Sequence, residues 1–212
     1  FKLKKFIVGV KHGKKHRHQN WLGNFDREEK SQLFRSEIWN QIKDKNDFED
    51  IDNFIEENKI EDTRQLTLAL YMKTYLMDQE LVKVDRASMK TSLETRAPFL
   101  NHELVDYVNA LPYEFKFKRM TGKYILKKLM EKKLPLAVVN RKKKGFGIPL
   151  AKWLREDLRE LCENVLSQKN IENAALFNYD FVEKLKEQHF SKKKDNRRKL
   201  WSLIIFQLWL QK

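Results

Sequence analysis

Between Leu81 and Leu100 the sequence LVKVDRASMKTSLETRAPFL gathers more side chains able to exchange protons or pair charges than any other stretch of the chain. Asp85, Ser88, Met89 and Ser92 recur at helical spacing, and no Gly or Pro interrupts Gln79 to Leu93. One helix face therefore carries an acid, two hydroxyls and a thioether, too polar a set for plain core. Glu94 and Arg96 follow, and Pro98 biases Ala97 away from the helical region. The helix is expected to end near Arg96, with a carboxylate beside a guanidinium at that end and Phe99 and Leu100 buried next to it. A second stretch, Arg141 to Lys144, runs into Gly145-Phe146-Gly147. Two glycines flanking one Phe let a ligand approach the backbone closely, and a lysine just before them can reach a phosphate oxygen as a compact point charge. That pattern reads as a pyrophosphate clamp; the plainer reading is a basic surface turn.

The scaffold behind these stretches reads as helical. With 212 residues, 41% hydrophobic and 12% aromatic, the chain can bury a sizeable core in one or two domains. Only 6 Gly and 4 Pro leave little punctuation for a many-stranded β architecture. The single Cys162 excludes an internal disulfide framework and suits a reducing compartment, so a cytoplasmic location is expected. The longest apolar run, Leu203 to Leu210, is far short of the roughly 20 residues a membrane-spanning helix needs. The first residue, Phe1, begins no convincing leader, and the chain reads as a C-terminal piece of a longer reading frame.

A net charge of +14 favours polyanionic partners in general, but the basic runs lie far apart: up to Arg17, Arg141 to Lys144, and Lys192 to Lys199. Residues 1–20 read as a basic arm or linker, and its His12, His16 and His18, without Cys or carboxylate in a cationic setting, make no metal site. From Trp21 a turn leads into a helix with Asn24 or Asp26 as its cap. Helices are then expected over Asp50 to Asn58, after Asp62 with Leu66, Ala69, Leu70, Lys73 and Met77 inward, and over His102 to Leu111. Phe115 and Phe117 alternate as in a short extended connector without a sheet. Thr121-Gly122-Lys123 lacks the second Gly and the hydroxyl of a phosphate loop. Trp153, Leu154, Leu158, Leu161 and Val165 form one stripe, and Phe181, Val182 and Leu185 another. Leu200, Trp201, Ile204, Ile205, Leu208 and Trp209 make a last helix apolar on most sides, hence expected to be buried.

The strings Tyr75 to Leu81 (YLMDQEL), Val82 to Met89 (VKVDRASM) and Ser92 to Leu100 (SLETRAPFL) resemble the synthetase domain of the glutamine-hydrolysing asparagine synthetases. The chain departs from that pattern at Met77, where the family has Pro, and at Asn101, where it has Asp. Residues 122–127 resemble its Gly-Lys-Tyr-Leu-Leu-Arg helix start with Lys127 for the arginine, and Ala175-Leu176-Phe177 loosely matches a Gly-Leu-Phe turn. Lys199-Leu200-Trp201 matches its closing Arg-Leu-Trp helix, so the likeness runs from about Trp21 to Leu210. It implies a mainly α fold: the helical C-terminal portion of an α/β, adenine-nucleotide alpha-hydrolase-like synthetase domain whose parallel sheet and phosphate loop lie upstream. Residues 21–212 would be that helical part, bringing Tyr71 and Tyr75 up to the active-site helix.

The reaction implied is ATP-dependent amide formation. Aspartate attacks the α-phosphate of MgATP, pyrophosphate leaves, and ammonia from a glutaminase domain displaces AMP. The family's Arg-Pro-Lys-Gln-Gly-Phe-Gly aligns its lysine with Lys143, making Lys143 the candidate cation on the departing pyrophosphate, with Gly145 and Gly147 beside it as nucleotide-binding backbone. Glu94 is the candidate that accepts the proton of the attacking amine. Asp85 and Arg96 are expected to fix Glu94 and its helix, and Arg86 could serve in either role. The cofactors implied are ATP and Mg²⁺, with the Mg²⁺ ligands upstream, since neither the Ser-Gly-Gly-x-Asp-Ser loop nor the family's second acidic motif appears here. The chain alone is accordingly expected to be inactive and to need glutaminase and phosphate-loop segments in cis or trans. Small-molecule substrates are the expected partners, with no membrane, and association as a homodimer stays open. Two other readings remain: a related amidotransferase acting on a sugar acid or peptide carboxylate, and a basic helical nucleic-acid-binding module, which the lack of any recognised motif disfavours.

Overall fold

The computed structural model describes Gly13, residues 15–142, Gly145 and residues 147–211, with His18 described by its backbone alone. Lys143, Lys144 and Phe146 of the basic turn, and most of the N-terminal arm, lie outside the described residues. In chain order the helices are α1 (Arg17–Leu22), α2 (Arg27–Leu33), α3 (Ser36–Ile42), α4 (Glu49–Asn58) and α5 (Thr63–Leu70). A π-helical segment, Tyr71–Leu81, leads into α6 (Val82–Met89), and a 3-10 turn, Pro98–Leu100, precedes α7 (His102–Ala110). Then come α8 (Tyr113–Lys116), β1 (Phe117–Lys118), β2 (Thr121–Gly122), α9 (Tyr124–Met130) and α10 (Leu136–Val139). The last five helices are α11 (Leu150–Trp153), α12 (Arg159–Val165), α13 (Gln168–Ala174), α14 (Tyr179–Phe190) and α15 (Arg197–Leu210). The fold is mainly α, and α1 begins inside the stretch read as an arm. None of the helices among the described residues is long and apolar enough to cross a membrane. The chain divides into two compact bodies, one of residues 1–49 and 146–212, the other of residues 50–145.

The first body has a dense core. Leu33, Leu154, Cys162, Val165, Leu166, Ile171, Phe177, Val182, Leu185, Leu200, Leu203 and Ile204 are buried in one cluster, so α12, α13 and α14 close on one face of α15. Local chemistry sets the entries to these helices. Asp26 caps α2 by accepting from the Glu29 N–H at 2.8 Å, and the Glu29 carboxylate accepts in return from the Asp26 N–H. The same Glu29 carboxylate pairs with Lys199, which ties α2 to α15. Ser167 and Asn178 cap α13 and α14. An isolated antiparallel bridge joins Phe34 to Phe177, closed by Arg35 N–H on the Leu176 carbonyl at 3.0 Å and Asn178 N–H on the Leu33 carbonyl at 2.8 Å.

Two helical expectations in this body are corrected. The stripe from Trp153 to Val165 is broken, because α11 stops at Trp153 and the chain turns before α12 starts at Arg159. The interruption shifts the phase, so Cys162 takes the inward position and Leu161 is exposed. In α15 the buried face is Leu200, Leu203, Ile204 and Gln207, while Ile205, Leu208 and Trp209 are exposed. A helix apolar on most sides is buried only where other helices reach it, and here they reach one side.

The second body is built around a helical run that is continuous from Thr63 through the π segment to Met89. Asp62 caps its start by accepting from the Arg64 N–H at 2.7 Å, and Arg64 returns a bidentate contact to the same carboxylate. That contact holds Asp62 at about 2, well below the usual carboxylate range. Buried apolar side chains are few: Ile51, Ile55, Leu66 and Leu70 among the described residues. Lys116 Nζ donates to Gln65 Oε1 at 3.1 Å and to the Asn109 carbonyl at 2.9 Å, linking α8 to α5 and to α7. The connector expected without a sheet is a small hairpin: Phe117 pairs with Gly122 and Lys118 with Thr121. Arg119 and Met120 both take positive φ, 45° and 65°, as a two-residue turn matched to strand twist requires. The period-2 phenylalanines gave no sign of it, since Phe115 lies in α8 and only Phe117 in the strand.

Candidate functional site

Helix α6 places Asp85 and Arg86, and it ends at Met89, earlier than the expected stop near Arg96. The stop is made by the backbone. Leu93 N–H donates back to the Ser88 carbonyl at 3.1 Å and Ser92 N–H to the Met89 carbonyl at 3.0 Å, with Ser92 in the left-handed region at φ 56°. This is the paired C-terminal closure that usually takes glycine at the left-handed position. The side chains assist it: Ser88 Oγ donates to the Asp85 carbonyl and Thr91 Oγ to the Ser88 carbonyl. Ser92 therefore leaves the helix face it was expected to share with Asp85, and Ser88 spends its hydroxyl on the helix backbone.

Beyond the stop, the chain from Leu93 to Ala97 is irregular, and every residue from Leu93 to Phe99 is exposed. Within it Glu94 Oε1 lies 2.5 Å from Arg96 Nη2, with the side chains 69% and 88% exposed. Arg96 pairs with Glu94, whereas among the described residues Asp85 and Arg86 make no hydrogen bond or ion pair with it. Phe99, expected to be buried, is 69% exposed. Gly145 and Gly147 are exposed, and a Cβ at either would meet nothing within 4 Å, so no described part of the chain fills the space beside them. The counterpart Lys143 is outside the described residues.

One polar cluster escaped the sequence reading. Tyr75 hydrogen-bonds to Glu80, which holds the phenol above its ordinary pKa. Lys83 Nζ reaches Glu80 Oε2 at 2.6 Å and holds that carboxyl below its ordinary value. Residues five apart face each other only because the segment is π-helical, so α-helical spacing could not have paired Tyr75 with Glu80.

The described residues contain no group of three or more His, Cys, Asp and Glu side chains able to hold a metal ion. Two clefts in the first body, of about 640 and 590 Å³, are lined by residues such as Arg35, Glu172 and Lys184, and Arg159, Glu183 and Lys186. None of the expected site residues lines either one. The stretch that follows the long helix presents an exposed carboxylate, Glu94, paired with Arg96.

The family model for asparagine synthase matches residues 3–211, and the chain belongs to that family. It is 38% identical over 136 residues to asparagine synthetase [glutamine-hydrolyzing] 1 of Bacillus subtilis, a match covering 64% of this chain and 21% of the relative. A putative asparagine synthetase [glutamine-hydrolyzing] of Mycobacterium bovis is 36% identical over 137 residues, with the same coverage of 64% and 21%. Amidase chyE of Penicillium rubens is 26% identical over 114 residues, covering 51% of this chain and 17% of the relative. The chain thus spans about a fifth of the length of the curated relatives it matches. No solved structure matches it.

Proposed function

We propose that this chain is the helical part of an ATP-dependent synthetase that converts aspartate to asparagine with ammonia derived from glutamine, and that it acts only together with further segments. The observation that carries the reading is the Glu94 carboxylate, presented at a defined helix stop and paired with Arg96. An attacking amine must shed a proton as the carbon–nitrogen bond forms, and a carboxylate in hydrogen-bond reach can take it. Arg96 holds the Glu94 carboxylate in a fixed orientation for that purpose. Lys143 is proposed to sit against the departing pyrophosphate, with Gly145 and Gly147 giving room for close approach. ATP supplies the leaving group, and the residues that cradle it and hold Mg²⁺ are proposed to belong to the rest of the protein.

The relatives named asparagine synthetase support aspartate as substrate. The relative named an amidase supports a second reading, amide chemistry on another carboxylate. The test is product analysis on a family-length protein that includes this chain. AMP and asparagine formed in equal amounts from aspartate, glutamine and ATP are expected, with no pyrophosphate exchange into ATP by the 212-residue chain alone. AMP formation that requires a different carboxylate would move the assignment to the second reading.

A further inference from the structure

Glu94 takes its place from a backbone closure. Packing does not hold it, since every residue from Thr91 to Phe99 is exposed. The ion pair with Arg96 does not tie it to the helix either, because both partners belong to the same short loop. What joins that loop to α6 is the turn at Ser92. Leu93 N–H returns to the Ser88 carbonyl at 3.1 Å, and Thr91 Oγ donates to the same carbonyl at 2.9 Å. Ser92 N–H meets the Met89 carbonyl at 3.0 Å, and the left-handed φ of 56° at Ser92 turns the chain out of the helix. Among the described residues, no backbone–backbone hydrogen bond holds Glu94, Thr95 or Arg96.

We propose that Ser92 and Thr91 are positioning residues for amide formation: the closure they make sets the Glu94 carboxylate where it meets the attacking amine. The inference rests on the functional reading above and adds to it the residues that aim the proton acceptor. A misplacement of about 1 Å at a reacting group can cost on the order of a hundredfold in rate, so a small turn on the surface can govern the chemical step. Ser92 carries the larger share. The left-handed region crowds any Cβ, is worst for a β-branched side chain and is freely open to glycine. Valine at this position would force the turn into another shape while removing no group that touches substrate.

The experiment compares Ser92→Val, Ser92→Gly and Thr91→Val in a family-length enzyme that includes this chain, beside Glu94→Gln. Two rates are measured on each, amide formation and pyrophosphate exchange into ATP. Ser92→Val should slow amide formation by roughly tenfold or more and change exchange by less than about twofold. Ser92→Gly should recover most of that loss. Thr91→Val, which removes one donor and keeps the turn, should fall between them, with Thr91→Ser as its rescue. Adding Ser92→Val to Glu94→Gln should slow amide formation no further than Glu94→Gln alone, because a misplaced acceptor and a missing one are the same loss. In the 212-residue chain, the Leu93 amide should exchange roughly tenfold faster in Ser92→Val, with amides of α14 and α15 unchanged. Three results would overturn the proposal: a freed Leu93 amide with amide formation intact, a fall of both rates together, or a double variant slower than Glu94→Gln. Should Ser92→Val yield no folded enzyme, the same rates in Thr91→Val and in its double variant with Glu94→Gln decide. Unimpaired amide formation in Glu94→Gln itself would sink the functional reading, and the positioning role with it.

Discussion

Glu94 Oε1 stands 2.5 Å from Arg96 Nη2 on a loop open to solvent, so this ion pair adds little to folding and its value lies in where it holds a carboxylate. Exposed pairs contribute marginally because water competes for both charges. Glu94→Gln in the isolated chain should leave the urea midpoint unchanged. In a family-length enzyme that includes this chain, the same substitution removes the proposed proton acceptor and should slow amide formation by roughly a hundredfold or more, while adenylation measured as pyrophosphate exchange is retained. Equal losses in both assays would show that Glu94 serves the nucleotide half-reaction instead.

Ala175 closes α13 in the left-handed region, at φ 54° and ψ 20°. This is the position where the likeness to the family sets a glycine, and the reason is now visible: a Cβ there crowds the neighbouring carbonyl. Ala175→Gly should stabilise the first body by about 1 kcal/mol or less, the relief of strain being partly offset by a freer unfolded chain. Urea unfolding followed by tryptophan fluorescence checks the direction.

The helices of the first body were legible because their caps and apolar periods agree: Asp26 with Glu29 at the start of α2, and Val182 with Leu185 inside α14. What the sequence hid were changes of phase. The turn between Trp153 and Arg159 carries no Gly or Pro, so nothing marked the point where Leu161 and Cys162 exchange roles. The stop at Ser92 was hidden for the same reason, since a serine sits where a glycine would have announced the helix end. Exposure was the least readable property. Leu208, Trp209 and Phe99 are apolar and read as buried, yet periodicity reports which residues share a face and not whether anything packs against it. The Glu94–Arg96 pairing was readable from two residues of spacing and one proline; the Tyr75–Glu80 pairing was not, because it depends on the π register.

Among the three lysines before Gly145, the likeness to the family selects Lys143. Only one side chain of a short turn can be aimed at a leaving group while its neighbours point elsewhere. Lys143→Ala should therefore lower pyrophosphate release by roughly a hundredfold or more in the complete enzyme. Lys142→Ala and Lys144→Ala should change it chiefly through salt-dependent nucleotide capture, an effect that fades as ionic strength rises. Rapid-quench measurement of pyrophosphate at two salt concentrations separates the two behaviours. Equal small losses in all three variants would make this stretch a basic surface turn.

His189 gives the first body a pH-dependent stability. Its ring is fully buried. Nε2 lies 3.2 Å from the Ala151 carbonyl, to which it donates, and Nδ1 accepts from the Asn196 N–H at 3.2 Å, so the neutral ring satisfies both partners. Protonating Nδ1 would turn its proton onto the Asn196 N–H. Burial pushes the pKa below the ordinary value of 6.5, Arg155 and Arg197 push the same way, and Asp195 with the Ala151 carbonyl opposes them in part. The unfolded chain then binds the proton first. Between the depressed folded value and 6.5 the unfolded state carries more protons, so stability is fully present above about pH 6.5 and is lost as pH falls through that window, at up to about 1.4 kcal/mol per pH unit. Asp195 remains ionised throughout, because Arg197 holds it below its ordinary value of 3.8 against the opposing pull of burial. Urea midpoints at pH 7.5, 6.5 and 5.5 should fall in that order. His189→Met leaves the Ala151 carbonyl and the Asn196 N–H unmet, so it should be less stable at pH 7.5 and show a flatter dependence across the same range. An unchanged slope in His189→Met would assign the pH dependence to another group.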